Sequence, residues 1–436
     1  MAHATLSSVP PSSAVDHPPV SVVDGAAESY LVDQTGHHPL VDHWVIRLAG
    51  KLLGSGDIRP TDAQRESFKQ WKQAGDPLAD ALVARIKNGG GADLRQKFDL
   101  ALREGIDAVP DAPQELVDLF RETETVPFWV DPAKLERGSR AYLSMGPDAA
   151  RMFVMAMSGS YLAQDANDVV LRTGEFVEKA AKRSVETLGW THDVTAPGSL
   201  YPGRSGYQAA LRVRMTHAFM RSGIANRKDW PESQVPINQS TYIATPILFS
   251  FAAMWLGTAM GHFMTRKDRE AIFHLWRYIS YLVGVNANLT ITDEHDAFRL
   301  TAIAIPQEVT IDDQTIHDGR MLSKALMDAY AETCGYDVRT VVGRIRLRLD
   351  MDMMSLIMNV GIGRAGAHAL AYDRRNWLAA VPLVGSAAWN ATQRAVAYSL
   401  PGGRRRFEDA RFKQARDMLT HFQERLDADR TYNRAG

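Results

Sequence analysis

The sequence predicts an all-α protein. Apolar residues recur at the three- and four-residue spacing of a helix along most of the chain, and caps and turn residues punctuate these stretches. No run alternates cleanly between apolar and polar residues, and Thr310-Ile-Asp is at most a strand fragment. No internal repeat is visible. We therefore expect one large, bundle-like helical domain over residues 37–436, preceded by a disordered tail over residues 1–36.

The N-terminal tail, which begins MAHATLSSVPPSSAVDHPPVSVVDG, has no basic start, no apolar core and no twin arginine. It is therefore not an export signal, and its Pro and Ser content predicts disorder. Cys334 is the one cysteine, which fits a reducing compartment, so we expect a cytoplasmic protein. His37, His38 and His43 follow the tail, and we interpret them as solvated surface residues rather than as a metal site.

The composition excludes several classes of protein. The 436 residues are 45% apolar and 23% charged, with a formal net charge of −1, as in an ordinary soluble protein. Such a balance gives no bulk attraction to nucleic acid or to an acidic membrane. One cysteine excludes a disulfide framework and a cysteine-based zinc site, and the absence of Cys-x-x-Cys-His excludes covalently attached haem.

Helix signals place the elements in order. Asp111 is the predicted N-cap of a first helix, Gly223 is the predicted C-cap of the Gly206 helix, and the last helix is charged enough to lie on the surface. The predicted helices begin at Asp111-Ala-Pro-Gln-Glu-Leu and then span Pro132 to Met145, Thr173 to Leu188, Gly206 to Ser222, Thr241 to Met264, Lys267 to Val283, Asp293 to Ile305, Asp312 to Cys334, Val338 to Met358 and Arg404 to Asp429.

An uncharged stretch runs from Ser233 to Met264, which is long enough for a transmembrane helix. Polar residues, Pro246 and two glycines interrupt it, and no basic cluster flanks both ends closely. We therefore predict a buried core helix and no transmembrane segment.

Two motifs suggest sites that their context does not support. Gly361-Ile-Gly-Arg-Ala-Gly366 spells a dinucleotide fingerprint, but no strand precedes it and no acid stands about twenty residues on. We interpret it as a turn or a close packing of two helices. Thr292-Asp-Glu-His-Asp296 gathers possible metal ligands, but acids at a helix N-terminus are expected from the helix dipole alone.

The stretch from Leu211 to Arg221 carries one histidine in an apolar helix. Val213, Met220 and His217 share one side of that helix, with Arg214 and Arg221 beside them. An imidazole with apolar neighbours and two guanidinium groups suits haem, because the imidazole can ligate iron and the arginines can pair with propionates. A core histidine hydrogen-bonded to a backbone carbonyl is the commoner explanation of such a pattern.

A series of motifs around this helix resembles the latex-clearing proteins, or rubber oxygenases, and the related mpaB-type oxygenases. The resemblance runs through Arg212-x-Arg214-x-x-His217, Trp230-Pro231, Pro236-Ile-Asn-Gln239, Thr245-x-x-x-Phe-Ser250, Glu270-Ala-x-x-His274-x-Trp276-Arg-Tyr278 and Tyr281-Leu-Val-Gly-Val285. It covers roughly residues 120 to 305, and its specificity comes from the order of the motifs rather than from any single one.

The resemblance implies an all-α fold with a globin-like core around a b-type haem. His217 matches the proximal iron ligand of the family. The distal residues match Arg183-Ser-Val-Glu-Thr187, in which Arg183, Glu186 and Thr187 share a helix face. Glu186 stands where the rubber enzymes have a lysine that can occupy the sixth iron position, so that ligation is in doubt here.

The family also has an acid upstream of the distal arginine that acts as a base. Here the region reads Gln164-Asp-Ala-Asn-Asp168, and neither acid aligns with assurance, so Glu186 is a second candidate. His262 and His274 are rival iron ligands, although the helix around His274 suggests a structural role.

The function implied is a haem-dependent oxygenase that uses O2 on an apolar, olefinic or terpenoid small molecule, as the rubber enzymes cleave isoprenoid double bonds to carbonyl products. The Met- and Phe-rich segments at Met152 to Met157 and Phe249 to Trp255 suit such a substrate, although core packing accounts for most of them. The alternatives are another haem oxidation in secondary metabolism, a non-catalytic haem carrier or gas sensor, and a haem-free helical scaffold. The oligomeric state is left open.

Overall fold

The computed structural model describes residues 40–52, 59–172, 179–231, 234–334, 336–337, 339–374 and 376–428. Every regular element in these ranges is helical, apart from one isolated antiparallel bridge between Ala163 and Val309. The all-α prediction is therefore confirmed. The predicted tail, with His37 and His38, lies outside the described residues.

The helices follow one another with short connections. They are α1 (Trp44–Leu52), α2 (Asp62–Lys69), α3 (Pro77–Arg85), α4 (Gly91–Glu104), α5 (Gln114–Glu124), α6 (Pro132–Leu143), α7 (Asp148–Ser160), α8 (Gln164–Arg172), α9 (Ala180–Thr195), α10 (Ser205–Ala225), α11 (Gln239–Tyr242), α12 (Ala244–Pro246), α13 (Ala253–Ala259), α14 (Arg266–Leu282), α15 (Glu294–Glu308), α16 (Asp313–Thr333), α17 (Val341–Gly361), α18 (Gly363–Ala369), α19 (Ala380–Ser399) and α20 (Gly403–Leu426).

Local capping chemistry explains where several helices begin. The Asp131 carboxylate accepts hydrogen bonds from the backbone N–H groups of Ala133 (2.9 Å) and Lys134 (3.2 Å), so α6 begins where the sequence predicts. Asp312 caps α16 in the same way, and Thr265 forms a capping box with Asp268 at α14.

Two predicted caps are wrong. Asp111 has a positive φ of 50° and precedes the true cap, Pro113, so it belongs to a turn. Gly223 lies inside α10, which continues to Ala225, because the packing of the helix outweighs the helix-breaking tendency of one glycine.

The apolar segment forms one helical stretch, Gln239–Ala259, that has the length and composition to cross a membrane, yet half of its most apolar window is buried inside the protein. A π-helical segment, Ile247–Ala252, lies in its middle. Phe249 stacks on Trp276 of α14 at 5.4 Å between ring centroids, and Phe251 meets Phe298 of α15 edge-on at 4.7 Å. These contacts are those of the predicted core helix.

The glycine-rich motif joins two helices, as predicted. α17 ends at Gly361 and α18 begins at Gly363, which has a φ of +74° that a residue with a side chain rarely adopts. The functional region lies elsewhere, where α10 packs against α9 on one side and against α3 on the other.

Candidate active site

A cavity of about 370 Å³ lies between α7, α8, α9, α10 and the start of the apolar helical segment. Its size falls in the range of small-molecule pockets, about 300–1,000 Å³. The apolar part of its described lining consists of Phe153, Met157, Ala166, Val169, Val170, Trp190, Val213, Met220, Ile237, Ala244, Leu248, Phe249, Val283 and Leu326. A few polar groups interrupt this apolar wall, as expected of a site that orients a ligand.

The structure brings the three predicted distal residues and the predicted iron ligand to this one cavity. Arg183, Glu186 and Thr187 line it from α9, and His217 lines it from α10. One turn further along α9, the Trp190 indole N–H donates to the Ala209 carbonyl of α10 (3.2 Å). This bond fixes the two helices against each other.

His217 is a partly buried, neutral histidine. Its Nδ1 is buried and has no hydrogen-bond partner among the described residues. Burial, helped by the Arg221 guanidinium, lowers the pKa of His217 to about 4. The ring is therefore neutral at pH 7, which is the form of imidazole that binds iron.

Tyr242 lies beside His217, and the sequence analysis did not identify it. The two rings are 5.4 Å apart between centroids, and burial raises the pKa of Tyr242 to about 12. Its hydroxyl accepts a long hydrogen bond from Arg221 Nη1 (3.4 Å). The signal that could have pointed to it is its position just after Pro236-Ile-Asn-Gln239, where Asn238 caps α11.

Glu186 is the one acid among the described residues that line the cavity, and its side chain is buried. The upstream acids do not line it. Asp165 forms an ion pair with Lys72 (3.5 Å), and Asp168 accepts a hydrogen bond from Gln164 (2.9 Å). Of the acids considered as a base, the structure thus brings Glu186 to the cavity.

Arg214 and Arg221 do not line the cavity. The Arg214 guanidinium makes a buried bidentate pair with Asp76 (2.7 and 2.9 Å), and Arg221 pairs with Asp80 (2.8 Å); both acids are contributed by α3 and its N-cap. Positions 214 and 221 lie about 40–100° around the helix from 213 and 217. The expected pairing with propionates therefore has no support in these contacts.

The Pro236-Ile-Asn-Gln239 motif holds together the loops next to the ion pair of Arg214 and Asp76. The Gln239 side chain donates to the carbonyls of Gly75 and Gly284 (2.9 Å each) and accepts from the Asn286 N–H (2.9 Å). Gly284 has a φ of +90°, and a Cβ there would lie 2.3 Å from an Asp76 oxygen. Only glycine fits at this position.

The rival histidines are engaged elsewhere. His262 Nε2 lies 2.9 Å from an Asp148 oxygen, and His274 Nε2 accepts the Asp131 N–H (2.9 Å). Neither lines the cavity. Within the described ranges, which include His43, no group of three or more His, Cys, Asp or Glu residues is placed to hold a metal ion.

The remaining sequence signals are structural. Asp293 caps α15 by accepting the Asp296 N–H (2.9 Å), and the Asp296 carboxylate bonds back to Thr292, as predicted for a helix N-terminus. Cys334 follows α16 in a half-buried position, and burial raises the pKa of its thiol to about 11.

The Met- and Phe-rich segments divide between cavity and core. Phe153, Met157 and Phe249 line the cavity, whereas Met155 and Met254 are buried outside it. Core packing therefore accounts for part of these Met- and Phe-rich segments, and lining of the cavity accounts for the rest.

Comparisons with known proteins identify the family of this chain. The family described as ER-bound oxygenase mpaB/B'/Rubber oxygenase, catalytic domain, matches residues 143–369, which include His217 and the three α9 residues. The Rubber oxygenase of Streptomyces sp. (strain K30) is 23% identical over 284 residues, or 63% of this chain and 66% of that protein. The chain thus spans just under two thirds of that relative.

The solved structure of latex clearing protein LCP in the closed state superposes with a TM-score of 0.53 and 18% identity, over 80% of this chain and 91% of that one. This likeness supports the all-α fold. Because the family match covers more than half of the 436 residues, the chain belongs to the mpaB and rubber oxygenase family of oxygenase catalytic domains.

Proposed function

We propose that this protein is a b-type haem-dependent oxygenase that acts on an apolar small molecule, olefinic or terpenoid in character. One observation carries the proposal: a neutral imidazole, His217, lines the same cavity as Arg183, Glu186 and Thr187. Its buried Nδ1 has no partner among the described residues, and leaving such a nitrogen unsatisfied costs about 1–3 kcal/mol.

The residues present fit a haem. His217 would hold the iron, and the apolar walls from Val213, Met220 and Phe249 suit the macrocycle or an apolar substrate beside it. When bound, haem supplies the capacity to bind and activate O2 as a co-substrate. The propionates would need partners other than Arg214 and Arg221.

The distal residues have distinct roles in this proposal. The Arg183 guanidinium can donate hydrogen bonds to negative charge that develops on reacting oxygen atoms. The Thr187 hydroxyl donates to the Arg183 carbonyl (3.0 Å), and its oxygen can still accept a hydrogen bond. Glu186 would take an allylic proton from the substrate, because it is the acid that the described cavity lining provides.

The substrate class follows from the wall of the cavity. Aromatic and aliphatic side chains exclude water and offer few hydrogen-bonding groups, so an olefin or terpenoid binds better than a polar metabolite. The protein named Rubber oxygenase among its relatives supports an olefinic substrate. We retain the expectation that the enzyme works in the cytoplasm.

The absorption spectrum of the purified protein tests the proposal. We expect a Soret band, oxygen uptake with a small terpenoid olefin, and loss of the band in His217→Ala. His262→Asn and His274→Gln are matched controls that should keep the haem, because neither residue lines the cavity. A colourless protein, or a His217→Ala variant with full haem content, contradicts the assignment. A band without turnover favours a carrier or gas sensor.

A further inference from the structure

The helix α19, with the single-turn 3-10 segment Trp377–Ala379 before it, carries an exposed apolar ridge outside the family match. More than half of each side chain is exposed in Trp377 (69%), Leu378 (77%), Val381 (73%), Val384 (65%), Trp389 (64%), Val396 (54%) and Leu400 (57%), which we call the α19 ridge. At 100° per residue these positions lie along one half of the helix circumference.

The polarity of α19 is inverted. Its buried residues are Asn390 and Arg394, whereas its large apolar residues face outward. The Asn390 amide donates to the Met260 carbonyl (2.9 Å), and Arg394 Nη2 donates to the Ser144 hydroxyl (2.9 Å). A surface helix of a soluble protein normally buries its apolar side. A contiguous exposed apolar surface of this kind marks an interaction site.

The charges around the ridge are basic. No Asp or Glu occurs between Asn376 and Arg404, and the next acid, Glu408, is buried in bonds to arginines. Leu400 marks one end of the ridge, and Arg405 and Arg406 are exposed there. Arg406 donates to the Pro401 carbonyl (2.9 Å). At the other end Arg374 is half exposed.

We propose that the α19 ridge docks on an anionic lipid bilayer, with Trp377 and Trp389 at the boundary between headgroups and acyl chains and with Arg405 and Arg406 against lipid phosphates. Aromatic and aliphatic side chains on one face of a helix with arginines at its end are the features of helices that lie in this boundary. Each exposed arginine near an anionic surface adds attraction.

A second copy of the chain fits the ridge less well. The ridge is formed by one helix and its flanking residues, whereas a stable interface buries about 800 Å² on each partner. Pairing two ridges also brings arginine-bearing ends together, and no Asp or Glu lies between Asn376 and Arg404. The flanking acids Asp373 and Asp409 already pair with Arg320 and Arg140. A bilayer supplies the missing negative charge from its phosphates.

In this proposal α19 lies on the surface of the bilayer and does not span it. Among the described residues the helical stretch with the length and composition to span a membrane is Gln239–Ala259, not α19. Docking through α19 would also place the enzyme beside a phase in which apolar molecules concentrate, but the proposal does not depend on the proposed activity.

Sedimentation with lipid vesicles tests the docking surface in the full chain. We expect the protein to sediment with vesicles of phosphatidylcholine and phosphatidylglycerol, and far less with phosphatidylcholine alone. The double substitution Trp377→Ser/Trp389→Ser should weaken binding about tenfold or more. Arg405→Gln/Arg406→Gln should weaken it about fivefold for each arginine removed and reduce its salt dependence.

Phe128→Ser is the matched control, because Phe128 is fully exposed in the loop between α5 and α6 and lies outside the ridge. It should bind vesicles as the parent protein does. Thermal melting by circular dichroism checks that each variant folds, and the haem spectrum is a separate readout that should not change.

Two results would overturn the proposal. The first is a parent protein that stays in the supernatant with anionic vesicles, or a double tryptophan variant that sediments as well as the parent. The second is a dimer by light scattering that Trp389→Ser converts to a monomer while neither form binds vesicles. That result assigns the ridge to contact between copies of the chain.

Discussion

The two sides of α10 differ in chemistry although they belong to the same 21 residues. Toward the cavity the helix presents Val213, His217 and Met220, which are apolar or neutral. Toward α3 it presents Arg214 and Arg221, each paired with a carboxylate. A rotation of about 80° around the helix separates the mean direction of the cavity-lining residues from that of the paired arginines.

This division has a physical consequence for the site. Arg214 and Arg221 hold the register of α10 against α3. Their pairing with Asp76 and Asp80 keeps the arginine charges out of the apolar cavity. Arg221 still acts on the cavity at a distance, since its positive charge adds to burial in lowering the pKa of His217. The ion pairs therefore position a neutral imidazole at the cavity while their own charges are balanced elsewhere.

The largest effect should come from substituting Asp76, the carboxylate that pairs with Arg214. Asp76→Asn leaves the Arg214 guanidinium buried with reduced compensation, so we expect the free energy of unfolding to fall by about 3–5 kcal/mol in urea denaturation. The exposed pair of Asp62 and Arg65 offers a control: Asp62→Asn should cost no more than about 1 kcal/mol. Equal losses in both variants would mean that the buried pair does not fix α10.

The next largest effect should come from substituting Glu186, which lines the cavity from α9. Glu186→Gln keeps the size of the side chain but cannot accept a proton, so we expect oxygen uptake with an olefin to fall about 100-fold. Haem content should stay unchanged. Ser184→Ala, in the same cavity, is the control and should keep its activity, because the Ser184 hydroxyl already donates to the Ala180 carbonyl (2.6 Å). Undiminished uptake in Glu186→Gln would remove this residue from the mechanism.

The smallest effect is a pH dependence in haem-free protein. The pKa of His217 is about 4 in the folded state against 6.5 for an unperturbed histidine. Between these values the unfolded chain binds a proton that the folded chain does not, so stability falls as the pH falls from 7 to 5, by up to about 2 kcal/mol. Urea denaturation at both pH values should show this loss reduced in His217→Phe. An equal pH dependence in both proteins would show that His217 is not held neutral.

The family resemblance pointed to Arg183, Glu186 and Thr187, and helical periodicity was enough to predict that they share one face of α9. Arg183, Glu186 and Thr187 are three and four residues apart, which puts them on one face of any helix that contains them. The helix starts predicted at Pro132 and Asp312 agree with the structure, in which the Asp131 and Asp312 side chains bond backbone N–H groups two or three residues away and so act locally. Gly223 misled because packing overrides a weak local preference.

The same local rules failed for α19 and for the arginines of α10. No helix was predicted over Ala380–Ser399, because its apolar side faces outward and its buried residues are polar. Arg214 and Arg221 looked available for an anionic ligand because their partners stand 138 and 141 residues away in the sequence. Asp76 and Asp80 are four residues apart whereas Arg214 and Arg221 are seven apart, so the spacing within each helix did not reveal the pairing.

The sequence by itself determined that the chain is helical, that it carries the ordered motifs of its family, and that Arg183, Glu186 and Thr187 share one helix face while His217 lies beside Val213 and Met220 on another helix. These properties depend on neighbours within one or two helical turns. Only the tertiary structure decided which face of α10 meets the cavity, which acids neutralise its arginines, and that α19 turns its apolar side outward. Such outcomes depend on contacts between distant segments, and the free energy of those contacts is set by burial and charge pairing in the folded protein.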